Sequence, residues 1–173
     1  MTLDGVAGAD GRTVLLVCHA NTCRSVMAHV LLERMLDQRA AAGQVRVRSG
    51  GVGNIARDGM IPSLDARIVL REDGILLVED TLTSTDLRRH RHLFGEADLI
   101  LTMTSEQKQV IGTFSEASGR PVFTLREFAG GTGDIHDPFG QDETRYRACR
   151  DEIKQCLEKA FDRLLDDLRV QPS

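Results

Sequence analysis

Short apolar runs that alternate with stretches of helical periodicity constrain this chain more than any other feature. RTVLLVC (12–18), QVRVRSGG (44–51), ADLILTM (97–103) and RPVFTL (120–125) have the composition of buried or half-buried strands. The stretches between and after them place apolar residues three and four apart, as helices do. Strand and helix therefore alternate with no internal repeat, which predicts a parallel sheet covered by helices on both faces. In such a fold ligands bind outside the carboxyl ends of the strands, so the loops that follow strands are where chemistry is expected.

The helical stretches can be read individually. SVMAHVLLERMLDQRAAA (25–42) predicts a helix capped by Ser25, with apolar Val26, Val30, Leu31 and Met35 at helical spacing. SLDARIVLREDG (63–74) predicts a second helix closed by Gly74. Around TSTDLRRHRHL (83–93) a further helix is expected to begin at a Ser or Thr cap, with RRHRH (88–92) as a solvated face. SEQKQVIGTF (105–114) is helical again, and FAGGTGDIHDPFG (128–140) is a long loop. DETRYRACRDEIKQCLEKAFDRLLDDL (142–168) is a long amphipathic helix with Ile153, Leu157, Phe161, Leu164 and Leu168 inward.

A chain of 173 residues with 41% apolar content suits one domain, expected over 12–170, with a frayed lead at 1–11 and a tail at 171–173. A net charge of -4 and a pI near 5.7 provide no general attraction to nucleic acid. No run approaches the roughly 18 apolar residues of a membrane span, and the first residues lack the apolar core of a signal peptide. A cytoplasmic location with no membrane partner is the expectation. Cys18, Cys23, Cys149 and Cys156 are expected as free thiols, with Cys149 and Cys156 packing on one helix face. No compact Cys/His set has zinc-ligand spacing, so no metal is expected.

The first predicted strand delivers Cys18 into CHANTCRS (18–25). A cysteine and an arginine five residues apart can wrap a tetrahedral oxyanion, because the intervening amides point inward and the guanidinium closes the ring. The following helix adds its positive N-terminal end. Such a field favours the Cys18 thiolate, a nucleophile suited to phosphorus. Asn21 can hold the loop through its amide, and Ser25 can donate to the Cys18 sulfur. In DIHDPFG, Pro138 biases Asp137 toward an extended conformation, from which its carboxyl can project.

CHANTCRSVMAH resembles the C-x-G-N-x-C-R-S-P-M-A-E loop of the low-molecular-weight protein phosphatases. The similarity continues through RSGGVG, GMIPSLDA, EADLILTMTSEQKQVI and DIHDPFGQDETRYRACRDEI, from Arg12 to about Leu168. It implies a three-layer α/β/α fold with a central four-stranded parallel sheet. It maps Cys18 to the nucleophile, Arg24 to the phosphate clamp and Asp137 to the general acid. His19, Ala20, Asn21, Thr22, Cys23, Ser25 and Phe139 then line the substrate, a phosphorylated protein or peptide whose phosphate-like anion sits in the loop. No cofactor is implied. Four residues depart from the family pattern. Ala20 replaces a glycine, which strains the loop if that position needs positive φ. Val26 replaces a proline, His136 a common proline, and His29 a glutamate to which no role transfers.

Thr22 stands where the tyrosine-specific branch carries a bulky aliphatic. With Phe139 the only aromatic of the acid loop, no Trp and a single Tyr, Tyr146, an aromatic slot is hard to assemble. CxxNTCRS with DPFG resembles the protein arginine phosphatase branch, so phosphoarginine is the expected substrate and phosphotyrosine the alternative. An arsenate reductase is disfavoured because no cysteine lies between Cys23 and Cys149. A weakened phosphoprotein-binding module would not need Cys18 and Asp137 intact. Cys23, near the nucleophile, also raises the expectation of a protective Cys18–Cys23 disulfide under peroxide, against a plain packing role.

Overall fold

A computed structural model describes residues 11–78 and 80–171; most of the expected lead and tail, at 1–10 and 172–173, lies outside the described residues. The expected strands form as β1 (Arg12–Cys18), β2 (Val45–Gly51), β3 (Leu99–Thr102) and β4 (Val122–Thr124). They make one parallel sheet in the order β2-β1-β3-β4. Among the described residues it is accompanied by α-helices α1 (Arg24–Gln38), α2 (Leu64–Glu72), α3 (His92–Glu96), α4 (Ser105–Ile111), α5 (Leu125–Phe128) and α6 (Glu143–Asp167), with a short 3-10 turn at Ser115–Ala117.

Strand β1 explains the layering. Its side chains alternate between faces, and both faces are covered, so the run reads as continuously apolar. Val14, Leu16 and Cys18 join the core built with α1, α2 and α6, where Leu31, Val69 and Leu157 sit. Leu15 and Val17 join a second core with Leu93, Phe94 and Ile111. The result is the three-layer α/β/α sandwich.

The chain passes from β1 outward to β2 and then back across to β3 on the other side of β1. The carboxyl ends of β1 and β3 therefore flank the crevice where such sheets bind ligands. Cys18 ends β1, and the Met103 carbonyl, just past β3, accepts the Ile135 N–H at 2.9 Å. That bond brings the long loop after α5 to the same crevice.

Three local expectations need correction. Helix α1 begins at Arg24 with Cys23 at the N-cap, not Ser25, because the Ser25 hydroxyl is engaged inside the loop. Its buried surface also includes Met27, Ala28, Leu32 and Leu36, while Val30 and Met35 are only partly buried, since the helix is wedged between the sheet and α6. No helix starts at the Ser or Thr of 83–86. There the Asp86 carboxylate accepts the Arg88 N–H at 3.0 Å, and Gly51 exchanges backbone bonds with Thr85 and Leu87. A side chain that captures a backbone N–H two residues on competes with helix formation, so α3 starts only at His92. The RRHRH run is likewise more than a solvated face. Arg88 pairs with Asp86 and His90 lies 2.8 Å from Asp58, which straps this segment to the loop after β2. Among the described residues, no helix is long and apolar enough to cross a membrane.

Candidate active site

Cys18 is buried at the strand end, and its sulfur has two close polar neighbours. The Asn21 N–H donates to Sγ at 3.2 Å, and the Ser25 Oγ lies 2.9 Å away. Asn21 Nδ2 donates to that same Ser25 oxygen at 2.7 Å, and Asn21 Oδ1 accepts the Thr85 N–H at 3.0 Å. With the amide donating to Ser25, the hydroxyl proton is free to point at the sulfur. All four cysteines are free thiols.

The loop turns at Asn21, whose φ is 60°; Ala20 does not adopt a positive φ. Alanine in place of the family glycine therefore costs no left-handed strain at that position. The space that the loop needs comes from the strand beside it. A Cβ placed on Gly51 would stand 2.6 Å from the His19 carbonyl oxygen and 2.9 Å from the Ala20 carbonyl carbon. The Val52 N–H donates to the Cys18 carbonyl at 3.1 Å and the Gly53 N–H to the His19 carbonyl at 2.8 Å, which seats the loop on this floor.

Arg24 connects the two halves of the site. Its Nη1 donates to the Ile135 carbonyl at 2.9 Å and its Nη2 lies 3.6 Å from Asp137 Oδ2. Asp137 Oδ1 accepts the Phe139 N–H at 3.1 Å, a turn that aims the carboxylate back toward the arginine. Arg24 is buried, whereas the Asp137 side chain remains half-exposed.

A cavity of about 480 Å³ opens over these groups. Cys18, His19, Ala20, Thr22, Cys23, Arg24, Asp137 and Phe139 line it, while Asn21 and Ser25 stand behind the wall and act on Cys18 instead. Ile55, Arg57, Met60 and Tyr146 also line it, and sequence reasoning missed them as site residues. The expected shortage of aromatic wall is corrected by Tyr146, which reaches the cavity from α6 and joins Phe139 there. Apolar Ile55 and Met60 within the otherwise polar, Gly-containing stretch GNIARDGM were the available signal for that wall, together with the single tyrosine in the first turns of a helix.

Burial governs the other ionisable groups. It pushes the Cys23 thiol up, with Cys149 and Cys18 adding to the effect, so Cys23 is a poor attacking thiolate. It raises Cys149 to about 12, partly opposed by Arg24, and raises Tyr146 to about 12. Cys149 packs beneath the acid loop, 3.8 Å from the His136 carbonyl, while Cys156 is only partly buried. His29 braces α1 to β2 through Ser49 at 2.8 Å and pairs with Glu33 at 2.8 Å. No group of three or more His, Cys, Asp or Glu side chains is placed to hold a metal among the described residues.

A buried strand-end thiol that shares its crevice with an arginine and a carboxylate belongs to the cysteine-dependent phosphatases, and the doubly wound sheet narrows that class further. The family described as low molecular weight phosphotyrosine protein phosphatase matches residues 13–170, and the chain belongs to it. Its relatives include a protein-arginine-phosphatase of Geobacillus stearothermophilus, 41% identical over 160 residues that cover 91% of this chain and 97% of the relative. A low molecular weight protein-tyrosine-phosphatase PtpB of Staphylococcus haemolyticus is 31% identical over 146 residues, 84% of this chain and 95% of the relative. The solved arginine phosphatase from Geobacillus stearothermophilus superposes with a TM-score of 0.76 at 34% identity, covering 94% of this chain and 99% of that one. The protein is thus a low-molecular-weight protein phosphatase, a hydrolase whose family implies phosphorylated protein substrates.

Proposed function

We propose that this phosphatase hydrolyses phosphoarginine on proteins through a phosphocysteine intermediate. Cys18 attacks phosphorus while the loop amides and Arg24 hold the equatorial oxygens. Asp137 gives its proton to the bridging nitrogen as the P–N bond breaks. It then accepts a proton from the water that cleaves the P–S bond and releases phosphate. The placement of Asp137 beside Arg24, at the mouth of the cavity that holds Cys18, supports this division of roles.

Thr22 carries the choice of substrate. It lines the cavity beside Cys23, and its backbone carbonyl accepts the Ser63 N–H at 2.9 Å, which fixes it in place. A hydroxyl there can bond to a guanidino group, whereas an aliphatic side chain would desolvate that group without replacing its bonds. Two curated relatives that share 41% and 32% identity with this chain are themselves arginine phosphatases. A phosphotyrosine reading is favoured by one observation, the presence of both Phe139 and Tyr146 on the cavity wall.

Turnover of matched phosphoarginine and phosphotyrosine peptides decides between them. Wild type is expected to prefer phosphoarginine, Thr22→Ile to move the preference toward phosphotyrosine by about tenfold, and Cys18→Ser to abolish both activities. Wild-type preference for phosphotyrosine would overturn the arginine reading, and hydrolysis by Cys18→Ser would overturn the mechanism.

A further inference from the structure

A second cavity of about 600 Å³ adjoins the first, and the two share three wall residues: His19, Arg24 and Asp137. Arg24 and Asp137 are already engaged with each other and with the acid loop. His19 differs from both. Its backbone is held by Gly53 at 2.8 Å, and its ring packs over the bare Cα of Gly53, where any side chain would collide with the imidazole. Yet among the described residues the ring itself makes no hydrogen bond, although it is only partly exposed. A polar ring fixed in position, next in sequence to the nucleophile and left without a partner at a ligand cavity, is equipped to meet a ligand atom.

The chemistry of that atom follows from what lies around it. The phosphoryl oxygens are claimed by Arg24 and the loop amides. What remains near His19 is the leaving group, and Asp137 lines the same two cavities. A guanidino leaving group carries several N–H donors and needs acceptors. Asp137, Thr22 and the unpartnered imidazole nitrogen of His19 supply three of them around one cavity. A phenolic leaving group has no N–H to offer and gains nothing from the imidazole acceptor.

We propose that His19 is a specificity-determining residue that accepts a hydrogen bond from a guanidino N–H of phosphoarginine. The assignment rests on the phosphoarginine reading above and adds a residue whose contribution can be measured separately. Loss of one such bond is worth about tenfold.

The experiment compares wild type, His19→Leu and His19→Gln on phosphoarginine and phosphotyrosine peptides of one sequence. His19→Leu is expected to lower the ratio of kcat/KM for phosphoarginine over phosphotyrosine about tenfold, mainly through KM. Glutamine, whose amide oxygen can accept the same bond, is expected to restore most of that ratio. An unchanged ratio in His19→Leu, or equal losses on both substrates, would overturn the role of His19 while leaving the phosphoarginine reading in place. A wild type that turns over only phosphotyrosine would overturn both.

Discussion

The loop at residues 18–25 and the acid loop at 134–140 meet at Arg24, yet they are organised in opposite ways. In the first, Asn21, Arg24 and Ser25 are only 2%, 4% and 0% exposed, and their side chains bond to partners inside the protein. The second is pinned by the backbone at buried Ile135, and although Pro138 is also buried, the loop carries Asp137 half-exposed and Phe139 82% exposed. A cradle for phosphate must hold its shape before the ligand arrives, so the residues of the first loop act through fixed position. In the proposed mechanism a proton donor must meet leaving groups on proteins of many shapes, so the residues of the second would act through reach.

The largest effect expected from breaking this contrast lies in the acid loop. Asp137→Asn keeps the acceptor for the Phe139 N–H but cannot deliver a carboxylic proton. It should lower kcat by about 10²–10⁴-fold with an unchanged melting temperature. A loss expressed in KM alone would demote Asp137 to a wall residue. The cradle should fail differently. Asn21→Ala removes two side-chain hydrogen bonds, one buried and one partly buried, and places alanine at a φ of 60°. Urea unfolding should show a loss of about 2–4 kcal/mol. Asn21→Gly, which accepts that φ, should recover the backbone share only; if Asn21→Ala unfolds like wild type, the cradle is not held as described. The smallest effect concerns Tyr146, where helix α6 supplies wall to the same cavity. As the only tyrosine in the chain, it can be followed by ultraviolet titration of its phenolate. Burial raises its ionisation from 10 to about 12. The unfolded phenol then ionises first, so stability should fall as pH rises through that interval. Tyr146→Phe should flatten the fall, and a phenolate appearing near 10 would contradict the burial.

Much of this was legible in the sequence because it depends on local pattern. A continuously apolar β1 predicts a strand covered on both faces, and Cys-x5-Arg between strand and helix predicts the cradle. What escaped depends on which of several possible partners a group takes, near or distant in the chain. Ser25 could serve as a cap or as a donor to Cys18, and the folded loop commits its hydroxyl to Asn21 and Cys18. The segment at 83–93 carried cap and helix signals, yet its backbone serves the end of β2 and the loop beyond it, while its one carboxylate, Asp86, captures the Arg88 N–H. Tyr146 enters the cavity through the register of a helix that starts at the far end of the acid loop. No periodicity within α6 announces which of its buried residues borders a cavity and which borders the core.

Gly51 extends the idea of what belongs to an active site. It offers no group to a ligand, and its side-chain direction is occupied by the backbone of His19 and Ala20. The cradle is therefore a cast taken against the end of a neighbouring strand, and its mould is a residue type defined by what it lacks. The footprint of residues under constraint is wider than the set that touches the substrate. Within that footprint, a single added methyl group some thirty residues from the nucleophile in sequence bears directly on the shape that holds phosphate.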